Sequence, residues 1–226
     1  MGYSKNGLRS LAVGLALGVS ALVGTTEMAR ADDGGGNQVS FRGGWVGMTS
    51  DRSSEFYTDG QGIGGTRATG LNDGSHGYYV GGALDLLLSK NTWGMMGGTW
   101  ALGEIGVEYR RLNSNVVSNV PQVLLGTRSE APLTMLTVDI APKLKFMEGS
   151  RLRPWIIPIG LDFIVISPPS NVSGYLDVGL QFGAGLEYQL YKAFKVGLDG
   201  RFHLGSGQTK TTNNAGTLGA YVGIAF

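Results

Sequence analysis

Apolar and polar side chains alternate along most of the chain from Val39 onward. In a β-strand successive side chains point to opposite faces, whereas a helix repeats its apolar positions at i, i+3, i+4 and i+7. No segment after Val39 keeps the helical spacing, and the alternation predicts eight strands. These strands cover residues 39–48, 77–88, 99–111, 134–146, 153–166, 174–190, 193–204 and 216–226.

The two faces of the predicted strands carry different chemistry. One face is large and apolar, with branched or aromatic side chains in every strand. The other face carries charges separated by glycines and other small residues. Its charged residues, with one histidine, are Arg42, Asp85, Glu104, Glu108, Arg110, Asp139, Lys143, Lys145, Asp162, Asp177, Glu187, Lys195, Asp199, Arg201 and His203.

The size of an eight-stranded barrel decides which face points inward. Its interior is just wide enough for side chains or one small ligand, so the large apolar face does not fit inside. The charged face does fit, and an apolar exterior requires a bilayer around it. We therefore expect an all-β fold, an eight-stranded antiparallel up-and-down transmembrane β-barrel. An exported soluble barrel with its apolar face around a ligand is the alternative, because it alternates equally well.

The charges of the predicted inner face nearly cancel, since six are basic and eight are acidic. Buried charges are tolerated when they form pairs. Near-balance therefore favours a lumen closed or narrowed by salt bridges over a wide channel, which also needs about twice as many strands.

The first residues have the pattern of a secretory signal peptide. Lys5 and Arg9 precede an apolar stretch over 10–24, and Ala29 and Ala31 supply the small residues that a signal peptidase reads. Cleavage after Ala31 divides the chain into a signal peptide, residues 1–31, and a barrel, residues 32–226. No uninterrupted apolar stretch of ~18 residues follows, so any membrane crossing is made by strands.

Connector lengths alternate between long and short, as in bacterial outer-membrane barrels. With a periplasmic N-terminus, the external loops are predicted at 49–76, 112–133, 167–173 and 205–215, and the periplasmic turns at 89–98, 147–152 and 191–192. Pro142, Pro154 and Pro158 fall inside two predicted strands, where each lacks a ladder donor. We expect strand ends or bulges at these prolines, or a different register.

Several aromatic residues of the apolar face fit the girdles that mark the two membrane interfaces of such barrels. A platform that stacks a ligand is the alternative interpretation. The predicted girdle residues are Trp45, Tyr78, Tyr109, Trp155 and Tyr188.

Composition narrows the functional classes. The chain has 39 glycines, 15% charged residues, a net charge of +1 and no cysteine. The lack of cysteine excludes disulfide scaffolds, thiol catalysis and a lipid anchor on an N-terminal Cys. The near-neutral charge gives no reason to expect nucleic acid as a partner. The glycine clusters follow no strand-to-helix context and the acids form no calcium-loop series, so we expect no cofactor and no metal.

The last predicted strand has apolar residues at alternate positions and closes on Phe226. This pattern resembles the C-terminal assembly signal of bacterial outer-membrane barrels, which we assign to Val222, Ile224 and Phe226. With the signal peptide and the strand count, residues 32–226 resemble the small outer-membrane β-barrel superfamily, of the OmpA transmembrane domain, OmpX and opacity-protein types. The resemblance implies the outer membrane of a Gram-negative bacterium, reached by export through the inner membrane. Implied partners are outer-membrane lipids including lipopolysaccharide and, during biogenesis, periplasmic chaperones and the barrel-assembly machinery.

These observations favour a non-enzymatic outer-membrane barrel with a closed or narrow lumen, whose loops serve envelope integrity, adhesion or minor diffusion. The alternatives are a small pore and an outer-membrane lipid-modifying hydrolase that uses His203. His203 shares the inner face with Asp199 and precedes Ser206 by three residues. The lipid A deacylases of the superfamily use a His-x-Ser pair, a different spacing, so we expect a lumen histidine in a polar network and no catalytic residue.

Overall fold

Strands form wherever the alternating pattern runs. The computed structural model describes residues 36–49, 76–116, 130–170, 174–206 and 213–226, and these ranges contain eight strands. The strands are β1 (Gln38–Met48), β2 (His76–Ser89), β3 (Trp100–Val116), β4 (Glu130–Lys145), β5 (Leu152–Ser170), β6 (Gly174–Tyr191), β7 (Phe194–Gly205) and β8 (Ala215–Ala225). Each strand pairs antiparallel with the next, and β8 pairs with β1. The predicted closed eight-stranded barrel is therefore confirmed.

The two longest connections between strands lie at the same end of the barrel. One end, the turn end, carries the connections 90–99, 146–151 and 192–193. The opposite end, the loop end, carries the four other connections between consecutive strands. A short 3-10 helix, Thr92–Gly94, lies in the first connection of the turn end, and Gly149 adopts a φ of 81° in the second. No helix in the described part of the chain is long and apolar enough to cross a membrane.

The predicted loop boundaries need correction at the loop end. β3 runs to Val116 and β4 begins at Glu130, so both ends of the predicted loop 112–133 belong to strands. β5 runs to Ser170 and takes four residues from the predicted loop 167–173, while His76, Gly205 and Ala215 are also strand residues. Ladder hydrogen bonds join backbone groups whatever the side chains, so polar sequence does not end these strands. The predicted signal peptide, 1–31, lies outside the described residues, as do residues 50–75, 117–129, 171–173 and 207–212 of the predicted external loops.

Two of the three prolines lie at irregularities of the sheet. Pairing of β4 with β5 is interrupted between Ile140 and Leu144, and Pro142 lies in that interval. Pro158 and the residue after it lie opposite the single residue Phe182 of β6, which makes a β-bulge. Pro154, the third residue of β5, keeps a regular position opposite β6. The bulge has a consequence for the interior because one extra residue reverses the alternation of faces.

Large apolar side chains cover the outside of every strand. Leu218 is 64% exposed, Ile140 is 51% exposed and Ile105 is 45% exposed, although all three lie in the middle of strands. On β3 and β4 the charged residues at the alternate positions, such as Glu104 and Asp139, point the other way and are buried. The apolar face is therefore the outer face, as the size of the barrel predicts, and the soluble barrel with a reversed orientation is not observed.

Candidate functional site

The charged residues assigned to the inner face lie together inside the barrel. All but Lys195 are buried, and the Lys195 side chain is only 11% exposed. They come from the seven strands β1 to β7, and alternation alone positions them, because inward residues occupy every second place. The lumen is therefore filled with charged groups, and its chemistry depends on how they pair.

Arg42 holds three carboxylates at the centre of the lumen. Its guanidinium lies 3.1 Å from Glu104, 3.3 Å from Glu108 and 3.0 Å from Asp139. A planar guanidinium with five N–H donors suits such multiple contacts. Arg42 thereby links β1 to β3 and β4 through charge-assisted hydrogen bonds.

Glu104 is the acceptor that the central bases share. Besides Arg42, it accepts hydrogen bonds from Arg201 at 2.5 Å and from Lys143 at 2.9 Å. Lys143 also donates to Asp85 at 2.9 Å, and Arg201 donates to the neighbouring Asp199 at 3.0 Å. The central cluster thus neutralises its charges through contacts between strands on opposite sides of the barrel.

His203 lies closer to the loop end and bridges an acid and a base. Its Nδ1 lies 2.6 Å from Asp162, and its Nε2 lies 2.8 Å from Arg110. Arginine only donates hydrogen bonds, so Nε2 is the acceptor and the ring proton is on Nδ1, facing Asp162. Arg110 in turn donates to Glu108 at 2.7 Å. Both ring nitrogens are therefore engaged by charged neighbours.

The Asp, His and Ser set considered from the sequence is not assembled. Ser206 donates its hydroxyl to Asp177 at 2.6 Å, and Asn213 donates to the same carboxylate at 2.5 Å. The hydroxyl of Ser206 is thus directed to an acid that has no contact with His203. A nucleophile needs its base within hydrogen-bond reach, and this arrangement does not provide it.

A second cluster surrounds Glu187 near the turn end. Lys145 donates to Glu187 at 3.1 Å and Lys195 lies 3.4 Å from it. The Gln38 amide and the Tyr221 hydroxyl also donate to this carboxylate, at 3.1 Å and 3.2 Å. Two bases and two neutral donors therefore satisfy a single buried acid.

Trp155 lies inside the barrel, so its assignment to the aromatic girdle is wrong. Strict alternation through β5 predicts Trp155 and Ile157 on the outer face, but they are 1% and 2% exposed. The bulge at Pro158 reverses the faces of the residues that precede it. The Trp155 indole donates to the Tyr221 hydroxyl at 3.0 Å, and the Lys143 ammonium lies 4.4 Å from the indole centroid.

The four other predicted girdle residues are on the outer face. Trp45 and Tyr78 are cross-strand partners near the loop end, and each is about half exposed. Tyr109 lies in the middle of β3, and Tyr188 lies near the turn end of β6. The assignment of these four residues to interfacial girdles stays a prediction.

Sequence reasoning missed part of the lumen. The reversal at Pro158 also turns Arg153 inward, where its guanidinium lies 4.0 Å from the Trp100 ring. Tyr79 is 1% exposed and donates to Asp199 at 3.1 Å. Tyr79 is an even number of residues from the inward Asp85, so alternation alone predicts that it points inward. The inward position of Arg153 could be predicted only with knowledge of the bulge.

An apolar layer fills the lumen at the loop end, which the charged pattern did not predict. Its members are inward residues by alternation, but they are as apolar as the outer face. They form one buried cluster of Val46, Met48, Leu112, Met135, Ile164, Ile166 and Ala215. The lumen therefore has an apolar layer at the loop end, interrupted by Asp177 opposite Ile164, and a charged part below it.

The residues assigned to an assembly signal lie on the outer face at the turn end. Val222, Ile224 and Phe226 are 55%, 42% and 57% exposed. The backbone N–H of Phe226 donates to the carbonyl of Asn37 at 3.0 Å, next to the start of β1. Their apolar side chains are thus exposed on the outside, while the backbone pairs β8 with β1 and closes the barrel.

Comparison with solved structures returns outer-membrane proteins. The chain is similar to the outer membrane enzyme PagL (14% identity, TM-score 0.48), with 84% of this chain and 99% of that chain covered. It is similar to Neisserial surface protein A (12% identity, TM-score 0.47) and to the outer membrane protein OprG from Pseudomonas aeruginosa (13% identity, TM-score 0.45). Each of these two matches covers 84% of this chain and 97% of the other.

No protein-family model matches the chain, and no curated protein matches it by sequence. The closed eight-stranded barrel agrees with the small outer-membrane β-barrel superfamily that the sequence resembles. The similar structures include an enzyme and a surface protein, and at these identities they assign no activity to this chain.

Proposed function

We propose that the chain is a non-enzymatic barrel of the outer membrane of Gram-negative bacteria, with a closed lumen. Its rigid body carries the long connections of the loop end at the cell surface, for envelope integrity or adhesion. The filled lumen carries this proposal, because paired charges lie below an apolar layer inside an apolar wall.

The outer face supports the membrane position. Monomeric soluble proteins rarely expose contiguous apolar patches larger than a few hundred Å². Here exposed Leu, Ile, Val and Phe side chains occur on every strand of a closed wall. Transmembrane barrels present this arrangement to lipid, with aromatic residues towards the two interfaces.

The packing of the lumen supports its closure. At the level of Arg42, an ion passing through must separate the guanidinium from three carboxylates that are within 3.3 Å. Breaking such a buried pair costs about 3–5 kcal/mol. At the level of Val46 and Met135 the ion must lose its hydration among apolar side chains. Both levels therefore oppose conduction.

A planar-bilayer recording tests the closed lumen. We expect no stable single-channel current proportional to salt concentration, whereas a wide porin reconstituted in the same bilayer gives such currents. Large, stable currents from the purified barrel would instead establish a small pore.

Cell fractionation tests the membrane position. We expect the protein in the outer-membrane fraction, extracted only by detergent, with a gel mobility that changes on heating as the barrel unfolds. Recovery in the soluble periplasmic fraction would favour an exported soluble barrel and remove the proposed function.

The hydrolase alternative has one observation in its favour, the 2.6 Å contact between Asp162 and His203. Arg110 occupies the other ring nitrogen, so we expect no catalysis. We therefore expect the lipid A mass spectrum to be the same in cells with the wild type, the His203→Ala variant and an empty vector. A spectrum altered by the wild type and restored by His203→Ala would establish the hydrolase.

A further inference from the structure

A groove of about 550 Å³ crosses the outer face near the turn end. It is lined by Leu186 and Tyr188 of β6, Val196 and Leu198 of β7, and Ala220 and Val222 of β8. Ala220 is the smallest of these residues, and its partner on β1 is Gly43, so the wall is recessed between larger side chains. The recess is lined by apolar side chains from neighbouring strands, which suits a hydrocarbon chain.

Two bases lie at the turn-end limit of this groove. Arg151 precedes Leu152, which also lines the groove, and the Arg151 carbonyl accepts a hydrogen bond from the Gln189 N–H at 2.8 Å. Lys192 lies in the short turn that follows β6. Both residues are exposed, and neither forms an ion pair within the described ranges. Two exposed positive charges therefore adjoin one end of an apolar recess.

We propose that this groove binds an acyl chain of an anionic phospholipid, whose phosphate group lies against Arg151 and Lys192. The inference rests on the membrane position in the proposed function. Lipid recognition by basic residues next to an apolar surface combines burial of the chain with attraction of the headgroup. The lipid comes from the leaflet at the turn end, because both bases lie at that end.

Native mass spectrometry of the full chain in detergent tests the proposal. The protein is mixed with equal amounts of phosphatidylglycerol and phosphatidylethanolamine that carry the same acyl chains. We expect more bound phosphatidylglycerol, because only this lipid has a net negative charge. The double variant Arg151→Gln/Lys192→Gln should lower its binding by about fivefold for each charge removed. The matched control Lys90→Gln removes an exposed base from a different turn and should leave both lipids unchanged.

A second pair of variants tests the groove separately from the charges. Ala220→Leu fills the recess and should lower the binding of both lipids, whereas Ala184→Leu, on the outer face of β6 outside the lining, should not. Equal binding of the two lipids by the wild type, or equal effects within either matched pair, would overturn the proposal. Gel mobility with and without heating is measured on the same samples. If lipid binding fails the test but the mobility still changes on heating, only the groove inference fails. If the protein also stays in solution without detergent, the proposed function fails too.

Discussion

The two parts of the lumen are filled by different kinds of side chain. At the loop end, apolar side chains such as Val46, Leu112 and Ile164 pack against one another. Below them, Arg42 and Glu104 belong to a cluster in which each charge has partners on other strands. Packing loses stability in proportion to the volume removed. A charge cluster loses much more when one partner is removed, because the remaining charges stay buried. The apolar layer should therefore tolerate substitution better than the charged cluster.

The largest expected effect is that of Arg42→Met. This change keeps a similar volume but leaves Glu104, Glu108 and Asp139 without their shared base. We expect the free energy of unfolding to fall by about 3–5 kcal/mol, measured by urea unfolding in detergent with gel mobility as the readout.

Lys195→Met is the matched control for Arg42→Met. Lys195 has one acidic partner, Glu187, which keeps Lys145, Gln38 and Tyr221 as donors after the change. We therefore expect a loss of only about 1 kcal/mol, that of one hydrogen-bonded contact. Equal losses for the two variants would contradict the distinction between central and peripheral charges.

Ile164→Ala should have a smaller effect than Arg42→Met. The side chain of Ile164 is 0% exposed in the apolar layer, and its truncation leaves a cavity that lipid does not reach. We expect a loss of about 2–4 kcal/mol. Ile140→Ala on the outer face is the control, and there lipid fills the space, so a loss as large as that of Ile164→Ala would mean that the layer is not tightly packed.

Tyr221→Phe should have an effect of about 1 kcal/mol. The change removes one hydroxyl that accepts from Trp155 and donates to Glu187. The Tyr221 ring packs against the backbone of Gly197, and a Phe ring in the variant keeps this contact. Tyr109→Phe removes a hydroxyl on the outer face and should leave the unfolding curve unchanged. If both variants unfold alike, the Tyr221 hydroxyl does not contribute to the cluster.

The smallest effect concerns tryptophan fluorescence and tests the inward position of Trp155. Brominated phospholipids should quench Trp45, which is 50% exposed on the outer face. We expect Trp45→Phe to reduce the quenched fraction. Trp155→Phe should lower the total emission and leave the quenched intensity as it was. A loss of quenching in Trp155→Phe equal to that in Trp45→Phe would place the indole in lipid.

The fold was predictable because the alternation is regular in most strands. In β1, β7 and β8 a single rule assigns every side chain to a face, and the charged residues reach the lumen as expected. In β5 the rule fails at Pro158, since a bulge moves Trp155 and Arg153 to the inner face. Pro158 indicates an irregularity in β5, but the amino-acid sequence does not say on which side of the proline the alternation of faces changes.

The pairing of the charges was less predictable than their direction. The nearly equal numbers of acids and bases predict ion pairs. They do not predict that Glu104 is shared by three bases, or that Arg110 donates a hydrogen bond to Nε2 of His203. Those contacts depend on the stagger of strands that are distant in the chain. The apolar layer was not predicted for a simpler reason. Its residues are as apolar as those of the outer face, and only their place in the alternation of each strand shows that they point inward.

The position of Glu104 has a consequence for how the barrel closes. Its partners Lys143, Arg42 and Arg201 are 39, 62 and 97 residues away in the chain, on three different strands. A sheet that lacks β1 or β7 leaves some of these charges without partners, and an unpaired ion next to hydrocarbon costs several kcal/mol. The network therefore favours the complete barrel energetically, because Glu104 has all three of its bases only when β1, β4 and β7 lie in the same closed sheet.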